Sequence, residues 1–296
     1  MSGFEVGEPI LCGPYDEPAE HWRIVEGETP RPEPGRRPAR YYYRPPGPVS
    51  ETQGDDPGTL IELKLVTRVR RRLAEWQAAG RPGVTRTTQE LLDYWAREGR
   101  QHRLFFAQRE AAETIVFLTE ARADFLQGIQ IALDEPSEDR KAEGHTAFRR
   151  YACKMATGTG KTTVMAMLAA WSILNKVNDR SNARFSDVVL VVCPNVTIRS
   201  RLRELDPREG DASLYRTRDL VPPHLMADLV KGRVLVTNWH VFEPQGVNPG
   251  GVSAKVTRAG VAVRTMETIT IGPKTTTARG RRYLTPDELD RQVAAG

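Results

Sequence analysis

Cysteine is scarce, with only Cys12, Cys153 and Cys193 among 296 residues. An odd number, widely spaced and without a C-x-x-C pair, argues against a disulfide framework and against a cysteine-built zinc site. Long apolar runs are also missing. Nothing approaches the roughly 20 residues that cross a bilayer, so no membrane span is expected. The first residues, Met1-Ser2-Gly3-Phe4-Glu5-Val6, hold neither a basic patch nor an apolar stretch, and the expected compartment is the cytoplasm. A strong charge bias is absent too, since 43 basic side chains face 38 acidic ones, for a net +5. That excess is only a weak pointer to polyanions. What is present, 39% hydrophobic and 27% charged residues, fits a globular chain rather than a disordered one.

Proline is unevenly placed. Residues 1–59 carry 11 of the 21 prolines, and 11 acidic against 6 basic side chains. Proline removes backbone donors and blocks helix, so this part reads as an extended, loop-rich arm. Its aromatics (Tyr15, Trp22, Tyr41, Tyr42 and Tyr43) give it a means of lying against a folded surface.

A helical region is expected over 60–103. Leu65, Val69, Leu73 and Trp76 share one helix face that Gly80 can end. Thr87-Thr88-Gln89-Glu90 matches a capping box for a second helix. A third is expected over 104–127, and the polar stretch 134–146 reads as an exposed loop. From Tyr151 the rhythm becomes strand, glycine turn, helix, strand. Val188 to Val192 is a continuous apolar run of the kind buried on both faces of a parallel sheet, and Val234–Thr237 is a second such strand. The fold class that follows is α/β.

The chemistry concentrates at Ala156-Thr157-Gly158-Thr159-Gly160-Lys161-Thr162-Thr163, with a strand expected before it and an apolar helix after it. Gly158 and Gly160 allow the backbone to curl so that successive N–H groups point at an anion. The helix start adds partial positive charge. Lys161 can reach terminal phosphates and the Thr162 hydroxyl can take a position on Mg²⁺. This is a Walker A motif with Met155 where the general pattern has glycine.

The loop resembles motif I of superfamily-two (DEAD/DEAH-box) helicases. More specifically it is similar to the helicase/UvrB-type N-terminal domain of restriction (Res) subunits of type III and related enzymes. Phe106-Ala107-Gln108-Arg109 resembles a segment whose glutamine reads the adenine edge, a role that falls on Gln108; its bland reading is a helix-surface residue. Cys193-Pro194-Asn195-Val196-Thr197-Ile198-Arg199 resembles motif Ia, and Val236-Thr237-Asn238-Trp239-His240 resembles a Thr-Asn motif. The resemblance implies DNA contact by Pro194, Asn195, Thr197, Arg199, Thr237 and Asn238, although each pair can equally be a strand-exit turn. Gly13-Pro14-Tyr15-Asp16-Glu17-Pro18 with His21-Trp22 is similar to the opening of one restriction-endonuclease branch, without an assigned role.

By that resemblance, residues 104–245 form an incomplete first RecA-like domain, a parallel sheet with flanking helices. It binds ATP and Mg²⁺ through Gln108 and Thr157 to Thr163, with Lys161 as the catalytic cation. The implied partner is double-stranded DNA, with the rest of a motor and nuclease and a modification methyltransferase beside it. The expected D-E-x-H pair and second motor domain are not recognised, which implies a truncated or split motor. Asp287-Glu288 sits in Thr285-Pro286-Asp287-Glu288, a helix start. Two other P-loop readings, a binding fragment without turnover and a P-loop kinase, remain; the motif order disfavours the kinase. Residues 246–296 are expected to hold a basic hairpin turning at Ala259-Gly260. Seven cations lie in 252–282 against one acid, either a DNA arm or a solvated edge. Arg68, Arg70, Arg71 and Arg72 read as an exposed helix face.

Overall fold

The computed structural model describes residues 8–25, 28–43, 59–194, 196–242, 268–271 and 274–277. The chain divides into two compact units, one of 1–191 with 197–236 and the other of 192–196 with 237–296. Asn195, the hairpin expected at Ala259-Gly260, and Asp287-Glu288 with their helix start lie outside the described residues.

The arm is more ordered than a loop. Strand β1 (Glu20–Arg23) pairs antiparallel with β2 (Arg31–Pro34), and β3 (Arg40–Tyr43) pairs with β4 (Thr59–Glu62). Proline density predicts irregular backbone, but φ near −65° also fits an extended strand. Pro32 and Pro34 have the same parity, so their missing N–H groups fall on the unpaired edge of a two-stranded ribbon. Leu60, expected at a helix start, is therefore on β4.

Helix α1 (Lys64–Ala78) buries Val69, Leu73 and Trp76, while Leu65 stays exposed. It ends in a Schellman turn: Gly80 N–H donates to Gln77 O and Arg81 N–H to Trp76 O, with Gly80 at φ +79°. Helix α2 (Arg86–Ala96) starts two residues earlier than the capping-box pattern predicts. Its cap is Thr85, whose hydroxyl accepts from Thr88 N–H at 3.0 Å. Thr88 is inside the helix and buried. Helix α3 (Phe106–Glu120) stops well short of residue 127, because the chain turns extended at Ala121 and Arg122 N–H reaches Pro82 O. The polar stretch 134–146 contains structure of its own. Strands β5 (Leu133–Asp134) and β6 (Phe148–Arg149) pair antiparallel around the short helix α4 (Glu138–Ala142).

Helix α5 (Lys161–Asn178) is the centre of the first unit, with ten of its 18 residues buried. It packs against α2 and α3, and later in the chain against α7 (Leu214–Thr217) and α8 (Met226–Leu229). A buried polar cluster fixes three of these helices together. Glu120 Oε1 accepts from the Thr88 hydroxyl and from Trp171 Nε1, both at 2.7 Å, while Oε2 accepts from Thr85 N–H at 2.8 Å. Asn175 Nδ2 donates to the Thr88 hydroxyl at 2.9 Å. Every member finds a partner, which is the condition under which polar groups persist in a core.

Strands β7 (Val188–Cys193) and β8 (Arg233–Asn238) form a two-stranded sheet, with α6 (Val196–Arg201) following β7. The expectation of burial on both faces is not met: Val188, Leu190, Val192 and Leu235 are 46–54% exposed. Only one face is covered, so the strands alternate in burial where a fully sandwiched strand would not. The strand expected to lead into the glycine loop is also absent, since residues 151–156 have no regular structure. A central parallel strand needs neighbours on both edges, and among the described residues this segment pairs with none. The result is a mixed helix-and-strand architecture in which every sheet among the described residues is two-stranded. In the second unit β9 (Thr268–Ile271) and β10 (Lys274–Thr277) pair antiparallel. Among the described residues no helix is long and apolar enough to cross a membrane.

Candidate functional site

The glycine loop opens directly into α5. Gly158 (φ +84°) and Gly160 (φ +78°) adopt the left-handed conformation that the curl requires. Thr163 and Val164 N–H both return to Gly160 O. Among the described residues the N–H groups of Gly158, Gly160, Lys161 and Thr162 donate to no backbone carbonyl. That leaves a run of free donors at the start of an 18-residue helix, where its dipole adds to them.

The loop's other polar groups are turned on themselves. Lys161 Nζ donates to Ala156 O at 2.9 Å and to Met155 O at 3.3 Å, and the Thr159 hydroxyl donates to Ala156 O at 2.7 Å. Lys161 and Thr157 are exposed, Thr162 is half-buried and Thr163 is buried.

Gln108 is brought to this loop from the first turn of α3, and it is buried rather than a surface residue. Its Oε1 accepts from Phe105 N–H at 2.9 Å, and its Nε2 donates to Thr159 O at 3.0 Å. The amide lies so close to Gly160 that a Cβ there would fall 2.1 Å from Nε2. Glycine at 160 is thus favoured by φ, and any side chain there would also have to displace the Gln108 amide.

The arm holds the start of α3 in place. Phe106 N–H donates to Pro14 O at 2.8 Å, and Arg109 Nη2 donates to Tyr15 O at 3.1 Å. Tyr15 packs on Phe105 with ring centroids 5.4 Å apart, and the Arg103 guanidinium sits 4.3 Å from the centre of the Tyr15 ring. Arg36 makes a two-pronged ion pair with Glu110. The Gly13-Pro14-Tyr15 motif therefore docks the helix that carries Gln108. Sequence reading missed Arg36 and Glu110, whose 74-residue separation leaves no local signal.

The candidate DNA contacts divide between the units. Thr197 and Arg199 belong to the first, with Arg199 exposed on α6. Pro194, Thr237 and Asn238 belong to the second. There the two motifs meet: the Cys193 thiol donates to Thr237 O and to Asn238 Oδ1, both at 3.2 Å. Asn238 is buried, so its side-chain oxygen serves this internal contact.

Residues 101–213 match the family of the type III restriction enzyme, res subunit. The matched segment contains Gln108, the whole glycine loop, and the stretch from Pro194 to Arg199; it leaves out the arm and Thr237-Asn238. Comparison with curated proteins and with solved structures gives no match. The resemblance read from motif I and the glutamine segment therefore agrees with the family matched over this stretch.

The described residues fit a nucleotide's phosphates in two respects, the free N–H run and the helix start behind it. They also include a cation and a hydroxyl, Lys161 and Thr162, at the positions where a P-loop uses them. Among the described residues no cluster of three or more His, Cys, Asp or Glu could hold a metal ion by itself. A magnesium ion held here would rest on Thr162 and on the nucleotide.

Proposed function

We propose that this chain is an ATP- and DNA-binding part of an ATP-dependent helicase or translocase of a restriction endonuclease of Res type. The observation that carries the reading is the left-handed glycine loop at the start of α5, with its unpaired N–H donors and with Gln108 seated against it. The family match over 101–213 supports a helicase-like, ATP-dependent reaction class. In this reading the described strands and helices around α5 are part of a RecA-like domain.

Each residue then has a defined task. The N–H groups of Gly158, Gly160, Lys161 and Thr162 receive the phosphates. Lys161 releases its two carbonyls to meet the terminal phosphates, and Thr162 offers its hydroxyl to Mg²⁺. Mg²⁺, when bound, neutralises charge on the phosphate oxygens. Gln108 reads the adenine edge by giving up its bond to Thr159 O. On the nucleic acid, Arg199 is an exposed cation, and Asn238 has its Nδ2 group left to donate once Oδ1 is taken by Cys193.

A second reading, binding without turnover, is favoured by one observation. Asp134 and Glu135, a described Asp-Glu pair, precede the loop and are engaged by Arg150 and Lys141. They are not placed after α5, where an acid pair would position the attacking water. Calorimetry with Mg-ATP on the parent and on Lys161→Ala tests both readings at their shared step. Saturable binding in the parent and at least a tenfold loss in the variant is expected. Unchanged affinity in a folded Lys161→Ala protein overturns the assignment.

A further inference from the structure

A cavity of about 990 Å³ lies between the arm, the beginning of α1 and the segment that leads into the glycine loop. Five of its lining side chains are cations (Arg36, Arg37, Arg40, Arg70 and Lys154), and Glu20 is the one lining carboxylate among the described residues. Arg36 is neutralised by Glu110, and Arg70 has the same carboxylate at 3.9 Å. Arg37, Arg40 and Lys154 make no ion pair among the described residues. Each is exposed and within reach of the cavity.

The crowding has an electrostatic signature. Burial, and then the neighbouring Arg36 guanidinium, lower the pKa of Arg70. Its Nη1 reaches only a backbone oxygen, that of Arg37, at 3.4 Å. A site with several cations and one acid is stabilised by an anion entering it, since like charges no longer face each other alone. Aromatic surface is present beside the charge. Trp22 and Tyr42 line the same cavity, Trp22 with its indole N–H held by Pro9 O at 2.9 Å. Cations interleaved with ring faces form the surface on which bases stack while their phosphates are neutralised. The volume is of the size that small-molecule sites occupy.

We propose that this cavity binds a nucleotide unit, an aromatic base with its phosphate, either free or as part of a single strand, and that it does so separately from the glycine loop. The two places adjoin, because Met155 and Ala156 line the cavity and their carbonyls hold Lys161. They are chemically distinct. The loop offers backbone N–H groups, and the cavity offers guanidinium groups, an ammonium group and rings. The inference does not rest on the role proposed for Lys161.

The test uses the full chain with two probes, a fluorescent oligothymidylate and a fluorescent adenine nucleotide without Mg²⁺. Each is titrated against the parent, Arg37→Gln/Arg40→Gln and Lys161→Ala. Both arginines are exposed, so the double variant is expected to keep the parent's unfolding midpoint. At least one probe should bind about tenfold more weakly to the double variant while keeping its affinity for Lys161→Ala. For a strand, the salt slope should fall by about 0.7 for each arginine removed. Loss of the oligomer alone identifies a strand as the ligand, and loss of the nucleotide alone identifies a free nucleotide. Photo-crosslinking of a 5-iododeoxyuridine strand or an azido-nucleotide, mapped by mass spectrometry, should label Trp22 or Tyr42. Equal affinity of parent and double variant for both probes, or binding abolished by Lys161→Ala alone, overturns the proposal.

Discussion

The helices around α5 and the sheet β7–β8 are built from the same kinds of side chain, yet they bury them very differently. Met167, Ile173 and Leu174 on α5 are fully buried, whereas Val188 and Leu190 on β7 are 46% and 54% exposed. A helix satisfies its backbone within itself and needs only neighbouring side chains on its apolar face. A strand needs partners along both edges and cover on both faces before an all-apolar run is hidden. The helical part of this molecule is thus energetically closed, and the sheet is open. Apolar composition alone does not distinguish the two cases; the number of neighbours does.

The largest expected effect lies on the closed side. Trp76 is wholly buried against Phe117, and its indole N–H donates to Pro82 O at 3.0 Å. Trp76→Ala should lower stability by about 3–5 kcal/mol, read by urea unfolding. A loss below about 1 kcal/mol would mean that α1 is not part of the closed core.

A smaller, pH-dependent effect is expected at Glu113, also on the helical side. It accepts a hydrogen bond from Gln77 and has Arg81 at 3.9 Å, but burial dominates and raises its pKa. A carboxyl raised in the folded state favours the fold when protonated. Its contribution is complete below the unfolded value near 4.5 and is lost as pH rises through the folded value. Glu113→Gln stays neutral throughout. Between about pH 4 and about pH 8 the parent should lose stability relative to the variant; parallel curves would show that the buried carboxyl is not what titrates.

The smallest effect belongs to the open sheet. Leu190→Thr introduces β-branching, which suits a strand, removes an exposed apolar group and should change stability by no more than about 0.5 kcal/mol, measured in the same unfolding assay. A loss of several kcal/mol would reveal that this face is covered, and the contrast with α5 would collapse.

The same contrast explains what was legible from the residues alone. Helix α1, with Val69, Leu73 and Trp76 on one face and Gly80 beyond, could be read because all its signals are local. So could the glycine loop and the helix behind it. The cap of α2 lies two residues before the one the pattern marks. Thr87, with Glu90 three residues on, has the capping-box spacing, whereas Thr85 caps through the N–H of Thr88, whose buried contact with Glu120 fixes that register. The strand before the loop is expected from the strand, glycine turn, helix rhythm, but strands depend on partners distant in sequence. Gln108 was found through a motif, whereas its seat on Thr159 O required the fold. The cations of the arm and Lys154 before the loop are individually ordinary, and nothing in their spacing foretells that Arg37, Arg40 and Lys154 border one cavity.

The inward contacts of the glycine loop have a consequence for selectivity. With Lys161 on the carbonyls of Met155 and Ala156 and Gln108 on that of Thr159, the loop has its cation already engaged by its own backbone. The free N–H groups can receive an anion at once, but to engage Lys161 and Gln108 it must substitute for these oxygens. A singly charged ion at one point returns too little to break several bonds at once. A chain of linked phosphates presents its oxygens in series, and can replace each internal partner as it is released. On the proposed role, the loop would thereby filter ligands by the number of oxyanions they carry before any base is recognised.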